Sequence, residues 1–172
     1  LWPFYNIDKE WAAEKILYLY ESDIRMASFY NSKNMFFLLY PKYKERFIRI
    51  IEKCFESEDN ELVEVGGYAV CEFYIQHNEF ETIIMSAQTK SDEQIKAILD
   101  MAVIYLKIND YRNKAKDIIL AYKNVDTDIQ FPLAKMFYDK AVDAKRDKMF
   151  LHEFMKTKAS RELVWAFTCY LE

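Results

Sequence analysis

The segment SDEQIKAILDMAVIYL, residues 91–106, decides the fold class, because its apolar residues recur with the period of an α-helix. Four of them follow the i, i+3, i+4, i+7 pattern of a single helix face: Ile95, Ile98, Leu99 and Ala102. Asp92 precedes the first of these residues, and its carboxylate is suited to accept a hydrogen bond from a first-turn N–H group. The segment therefore predicts a capped, amphipathic helix.

The same arrangement, a capping residue followed three positions later by an aliphatic residue, occurs at four places. They are Asp59–Leu62, Asp92–Ile95, Asp126–Ile129 and Ser160–Leu163, and the aliphatic residues lie 33, 34 and 34 positions apart. A second set of apolar centres lies 33, 34 and 32 positions apart: Ile51, Ile84, Ile118 and Phe150. A looser earlier copy begins at Asp23. Two helices in a period of 33 to 36 residues are typical of stacked helical repeats.

The two sets predict alternating first and second helices. First helices are expected at residues 23–31, 61–76, 93–108, 128–144 and 161–172, second helices at 42–55, 79–87, 111–122 and 146–157, and a leading helix at 8–20. The expected fold is all-α: an α-solenoid of about four to five antiparallel helix pairs. It forms a single domain, 1–172, with approximate repeats 23–58, 59–91, 92–125, 126–159 and a partial repeat 160–172.

Composition excludes most other fold classes. The chain of 172 residues has only two glycines and three prolines, which removes most of the usual means of making tight β-turns. Both glycines are adjacent, so Rossmann and P-loop phosphate sites are excluded. The net charge of −4 gives no global signal for nucleic acid, and the apolar run 35–40 stops at Pro41, far short of a membrane span. No membrane partner is expected.

The repeat pattern resembles that of HEAT/armadillo-type α-solenoids over residues 23–172, with short paired helices, acidic caps and aliphatic rather than fixed aromatic positions. The stretch ELVEVGGYA, 61–69, followed by Phe73-Tyr74-Ile75 and Asn78-Glu79-Phe80, is similar to the helical repeats that follow the ATPase core in some large bacterial signalling and defence ATPases of the STAND type. That resemblance implies a regulatory or sensor region of a larger ATPase, although the chain contains no ATPase motif.

The tetratricopeptide repeat is the alternative repeat class, because its 34-residue period also fits. Residues 101–102, Tyr105 and 109–111 resemble its small-residue, tyrosine and loop-tyrosine positions. Ala115, however, falls one position late, and residues 137–140 of the next copy do not reproduce the pattern.

Residues that commonly carry chemistry are sparse and scattered. Cys54, Cys71 and Cys169 form no CxxC pair, and we expect them to be buried thiols in a reducing cytoplasm. His77 and His152 lie 75 positions apart and belong to no metal-binding motif. We therefore expect no catalytic, cofactor or metal site, and the chain is predicted not to be an enzyme.

The predicted function is a scaffold or interaction module that binds a partner protein or an adjacent domain along a concave helical surface. Contact residues are expected on the second helices: Lys44, Arg49, Tyr111, Lys114, His152 and Lys156. The alternative is a nucleic-acid-binding HEAT-like protein, in which basic second helices bearing residues such as Arg112 and Lys116 form a positive groove. Acidic residues on the same helices, including Glu45, Asp117 and Asp147, favour a mixed solvated face instead.

Aromatic residues cluster towards the N-terminus: Tyr18, Tyr20, Tyr30, Tyr40, Tyr43, Phe29, Phe36 and Phe37. They either cover the end of the helical stack or form a protein-binding surface. Gly66 and Gly67 lie inside a predicted helix, where each costs about 1 kcal/mol relative to Ala, so we expect a close helix contact there. The chain starts at Leu1 and ends without a C-cap glycine, and we expect a fragment of a longer cytoplasmic protein.

Overall fold

The computed structural model describes residues 2–29, 32–86, 90–125, 129–158 and 163–171. Within these ranges the chain forms α-helices and two 3₁₀ segments, Ile24–Ala27 and Asn109–Tyr111, without a β-strand. The helices are α1 (Trp2–Tyr5), α2 (Lys9–Ser22), α3 (Ser32–Phe55), α4 (Asn60–His77), α5 (Glu81–Met85), α6 (Asp92–Tyr105), α7 (Arg112–Ala121), α8 (Gln130–Tyr138), α9 (Lys148–Phe154) and α10 (Val164–Leu171). The all-α prediction is confirmed. None of the helices in these ranges is both long and apolar enough to cross a bilayer.

The apolar residues that mark the repeat are all in the protein interior. In the first helices these are Leu62, Ile95, Ile129 and Leu163, and each is at most 2% exposed. In the second helices they are Ile51, Ile84, Ile118 and Phe150, and each is at most 6% exposed. The apolar residues that recur at the repeat spacing in the sequence are therefore the ones that are buried.

Two of the four predicted caps lie within the described residues. Asp59 accepts a hydrogen bond from the N–H of Glu61 at the start of α4, as expected. At α6 the cap is Ser91, one residue before the predicted Asp92: its hydroxyl accepts from the N–H of Gln94, whose side chain accepts from the N–H of Ser91. This reciprocal capping box satisfies two first-turn donors at once. The predicted caps Asp126 and Ser160 lie outside the described residues.

Helix α3 differs most from its prediction. It consists of two helical segments, residues 32–42 and 44–55, that meet in a kink at Tyr43. The second segment matches the helix predicted at residues 42–55, whereas the segment before the kink was not predicted. Pro41 lies inside α3, two residues before the kink, and its ring removes one backbone hydrogen bond. The helical geometry is interrupted at Tyr43, with φ −121° and ψ 34°. The expected helix at residues 23–31 is replaced, in its described part, by the 3₁₀ segment Ile24–Ala27.

Helix α8 ends at Tyr138, six residues before the predicted end at residue 144. Lys140 adopts the left-handed conformation, with φ 50°, and its N–H donates to the carbonyl of Phe137. The N–H of Ala141 donates to the carbonyl of Met136. These two bonds form a Schellman motif, which satisfies the last carbonyls and stops the helix without a glycine.

The chain divides into two compact units, Leu1–Ala69 and Val70–Glu172, with the division inside α4. In the first unit α2 packs on α3 and on the segment Ile24–Ala27, around the edge-to-face rings of Phe36 and Phe47. In the second unit α6 packs against α7 and α8, α8 packs against α10, and α7 packs against α5 and α9. The single domain expected from the sequence stays a prediction.

The glycine pair lies on α4, and both glycines are buried. A Cβ atom on Gly66 would lie 2.6 Å from the Cα of Phe55 and 2.8 Å from the carbonyl carbon of Cys54. The backbone at the C-terminal end of α3 therefore occupies the space of a side chain, as the prediction of a close helix contact required. Only glycine permits this approach.

Candidate functional site

A groove of about 650 Å³ lies in the first unit and is lined by α2 and α3. Its walls are formed by Glu10, Trp11, Glu14, Lys15, Tyr18, Lys42, Tyr43 and Arg46. The volume is in the range of pockets that bind ligands or anchoring side chains. Among the described parts of the first unit, this groove combines exposed aromatic rings with a cluster of charges.

The α2 wall results from the helical spacing of its residues. Ala12, Ala13, Ile16 and Leu17 are buried and face the core. Trp11, Lys15 and Tyr18 follow at i, i+4 and i+7, so they share the opposite face. Trp11 is 46% exposed and Tyr18 is 64% exposed. Two large rings are thus on the outer face of a helix whose core contacts come from alanine and aliphatic residues.

The α3 wall is built around the irregular turn at Tyr43. The Nζ atom of Lys42 lies 5.6 Å from the centroid of the Tyr43 ring, and the guanidinium carbon of Arg46 lies 6.0 Å from it. A cation at this distance from an aromatic face is attracted electrostatically by the ring. Pro41 and the non-helical backbone of Tyr43 interrupt the helical hydrogen bonds of α3, and the Tyr43 side chain lines the groove at this kink.

Ion pairs join the two walls. Lys42 donates a hydrogen bond to Glu10. Arg46 donates to Glu14 and to Glu21, and both of these bonds are 2.8 Å long. The hydrogen bond from Arg46 lowers the pKa of the Glu21 carboxyl, and the two glutamates raise the pKa of Arg46. These side chains are 30% to 78% exposed, so each pair contributes little to stability and mainly fixes side-chain positions.

Lys15 stands apart from this network. It is exposed, and it forms no ion pair or hydrogen bond with any residue in the described ranges. Trp11 lies one turn before it and Tyr18 one turn after it on the same helix face. The α2 wall therefore presents an uncompensated cation between two aromatic rings.

The N-terminal aromatic cluster separates into two groups. Tyr20 and Phe36 are buried and contact each other with ring centroids 6.0 Å apart, so they belong to the core. Tyr18 and Phe29 are 64% and 62% exposed. Tyr30 lies outside the described residues. Whether the exposed rings form a protein-binding surface stays a prediction.

The contact residues expected from the sequence are placed on both units. Lys44 and Arg49 are exposed on α3, and the Lys44 ammonium lies 5.9 Å from the Tyr40 ring. His152 and Lys156 are exposed at α9 and just beyond it, where both lie beside Glu153, at 3.5 and 2.9 Å. The lysine lowers the pKa of this carboxyl.

Tyr111 and Lys114 take part in packing within the second unit. Tyr111 is half-buried and makes an edge contact with Tyr105. The Lys114 ammonium donates to the carbonyl of Ile75 at 2.9 Å and to the side chain of Asn78 at 2.6 Å. A cation at the carboxyl end of α4 is favourable because the last carbonyls of a helix lack intrahelical donors. Lys114 therefore serves as a cap in this structure.

Sequence reasoning missed a buried ion cluster in the second unit. Asp147 is fully buried and accepts hydrogen bonds from Arg112 and, at 2.7 Å, from Lys116. Burial alone would raise the pKa of the Asp147 carboxyl, but the hydrogen bonds from Arg112 and Lys116 dominate and hold that pKa far below its usual range. Arg112 also donates to the carbonyls of Leu106 and Ala141. The only sequence signal is a separation of 35 positions, close to one repeat.

The described thiols show no sign of reactive chemistry. Cys54 and Cys71 are buried, and burial raises the pKa of the Cys54 thiol to about 12 and that of Cys71 higher still. Thiolates are the reactive form of cysteine, so both side chains behave as small apolar groups. The Cys169 side chain lies outside the described set. Within the ranges that the structure describes, no cluster of histidine, cysteine and carboxylate residues has the composition to hold a metal ion.

Comparisons with protein-family models, with curated proteins and with solved structures give no match to this chain. The resemblances to HEAT/armadillo repeats, to STAND-type repeat regions and to tetratricopeptide repeats stay predictions from the sequence.

Proposed function

We propose that the chain is an α-solenoid interaction module that binds a partner protein or an adjacent domain and carries out no catalysis. The solenoid is supported by the sequence separation of long-range side-chain hydrogen bonds. Tyr105 donates to Glu72 across 33 positions, Lys107 to Asp139 across 32, and Lys135 to Asp100 across 35. Bonds that repeatedly span one period are what neighbouring repeats in a stack would form.

Helix packing in the second unit gives further support. The predicted first helices α6, α8 and α10 contact one another in succession, and the predicted second helices α5, α7 and α9 do the same. Helices α6 and α7, which belong to one repeat, also pack together. Two parallel layers of successive helices are the arrangement of an α-solenoid, whether of the HEAT or the tetratricopeptide class.

The observation that carries the interaction function is the groove between α2 and α3. Tyrosine and tryptophan are enriched in the energetically dominant centres of protein interfaces. Trp11 and Tyr18 line a concave site, remain about half or more exposed, and lie beside side chains fixed by ion pairs. A partner side chain entering the groove would bury both rings without first requiring the charged walls to become ordered.

The nucleic-acid alternative has less support. Arg112 and Lys116 bind the buried Asp147, and Lys114 binds backbone carbonyls of α4, so these second-helix cations are already engaged inside the second unit. A phosphate backbone would have to compete with those contacts. Protein binding requires no such exchange.

Site-specific photocrosslinking in the source cells tests the proposal. A photoreactive phenylalanine analogue replaces Tyr18 in the groove or, as a matched control, Tyr138, a 48% exposed tyrosine on α8. We expect a discrete protein adduct from position 18 that is absent from position 138. No protein adduct at position 18, or an adduct with nucleic acid, would contradict the proposal.

A further inference from the structure

The charges of the groove are paired unevenly. Glu10 is hydrogen-bonded to Lys42, and Glu14 and Glu21 share Arg46, so the acidic side chains already have cationic partners within the first unit. Lys15 has none among the described residues and is the cation between Trp11 and Tyr18. An occupant that supplies a carboxylate to Lys15 adds a charge-assisted hydrogen bond without breaking an existing one.

We propose that the occupant of the groove is an amphipathic helix of the partner protein with a single acidic side chain on its contact face. A carboxylate of this helix binds Lys15, and apolar side chains one turn to either side pack on Trp11 and Tyr18. This inference rests on the proposed function and adds the chemistry of the partner. Residues 11 to 18 rise by about 10 Å along α2, at about 1.5 Å per residue, so a second helix with apolar, acidic and apolar residues at i, i+4 and i+7 matches the spacing.

Charge distinguishes this partner from the alternatives. A basic segment would bring like charge to Lys15, and the carboxylates that would attract it are already bound to Lys42 and Arg46. A polyphosphate chain would gain Lys15 but would also approach Glu10, Glu14 and Glu21, and these three acids equal in number the cations Lys15, Lys42 and Arg46. A single carboxylate among apolar groups avoids both penalties.

The test uses the whole chain and fluorescently labelled helical peptides of about 15 residues, measured by anisotropy. One peptide has leucine at the two apolar positions and glutamate at the central position, and its control has lysine at the central position. We expect the glutamate peptide to bind more tightly, by about two- to fivefold for an exposed charge pair. The Lys15→Glu variant should reverse this preference, and Tyr18→Ala should weaken both peptides.

Equal affinity of the two peptides, a preference unchanged in Lys15→Glu, or no binding up to about 1 mM would overturn the acidic-helix inference. Self-association of the chain that is abolished by Tyr18→Ala would identify a second copy as the occupant and would also overturn it. These failures are distinct from failure of the proposed function. A protein adduct at position 18 would still support partner binding when the acidic peptide shows no advantage.

Discussion

The two units each contain a charge cluster that joins side chains 25 to 35 positions apart, but the clusters differ in burial. In the first unit the Arg46 side chain is 30% exposed and its partners Glu14 and Glu21 are 52% and 40% exposed. In the second unit Arg112 is 6% exposed and Asp147 is not exposed at all. Exposed pairs contribute little to stability, whereas a buried pair is costly to break. The first cluster is therefore suited to bordering a binding groove, and the second to fixing the fold.

The buried cluster also completes the backbone hydrogen bonding around it. Arg112 donates to the carbonyls of Leu106 and Ala141, which follow α6 and α8, and Asp147 accepts from the N–H of Asp143. These groups lie in the connections between helices, where no helical ladder satisfies them. The buried cluster thus satisfies backbone groups in the connections that follow α6 and α8.

Loss of the buried carboxylate has the largest expected effect. Asp147→Ala leaves Arg112 as an uncompensated buried charge and should lower the free energy of unfolding by about 3 to 5 kcal/mol. Urea denaturation of the whole chain measures this. The control is Asp139→Ala, which removes the exposed partner of Lys107 and should cost less than about 1 kcal/mol. Equal losses for the two variants would mean that burial is not what separates the clusters.

Lowering the pH should destabilise the protein through protonation of the same residue, Asp147. The folded pKa of Asp147 is depressed, so its stabilising contribution is complete above its unfolded pKa of about 3.9 and is lost as pH falls towards the folded pKa. Between about pH 5 and pH 2 the wild type should lose stability faster than Asp147→Asn, by at most about 1.4 kcal/mol per pH unit. Parallel stability profiles of the two proteins over this range would contradict the assigned role.

In the first unit the largest loss of stability is expected from a steric clash rather than from the loss of an ion pair. Gly66→Ala introduces a Cβ into the backbone of Cys54 and Phe55, and should cost about 1 to 3 kcal/mol despite the better helix propensity of alanine. Gly67→Ala has the same propensity change with its Cβ rotated by about 100° around the helix, so it provides the matched control. Thermal unfolding should show a larger loss for Gly66→Ala. A more stable Gly66→Ala protein would disprove the close contact.

The exposed cluster should give the smallest effect. Glu21→Gln removes one of the two carboxylates that bind Arg46 and should change the free energy of unfolding by less than about 1 kcal/mol, because Arg46 keeps Glu14 and both groups are largely solvated. Denaturant titration of this variant, beside Asp147→Ala, gives the comparison directly. A loss as large as that of Asp147→Ala would show that the first cluster is structural as well.

The fold class and most helix positions follow from the sequence because burial repeats with the sequence period. Residues such as Ile51, Leu62 and Ile95 are predicted and observed in the core, since apolar spacing alone determines which face turns inward. The helical segment before the kink in α3 is not evident from the sequence, because Pro41 follows the apolar run 35–40 and a proline usually marks a helix boundary. The end of α8 was missed because Lys140 adopts a conformation that a glycine normally signals.

The groove and the ion clusters depend on tertiary placement and were only partly predictable. Tyr18 and Tyr43, which belong to the N-terminal aromatic cluster noted in the sequence, line the groove. Which tyrosines face outward depends on the register of α2 against α3, which composition does not reveal. The role of Lys114 and the pairing of Arg112 with Asp147 arise between residues 35 to 39 positions apart, beyond the reach of any local motif.

The most direct test of the account is the affinity of the crosslinked partner for the Tyr18→Ala variant, measured by titration calorimetry. Tyr18 is 64% exposed, so its removal should leave the thermal unfolding temperature nearly unchanged. If the groove is the binding site, loss of this ring should weaken partner binding by about tenfold, the scale of an interface hot spot. Wild-type affinity in a stably folded Tyr18→Ala protein would contradict the claim that the α2–α3 groove binds the partner.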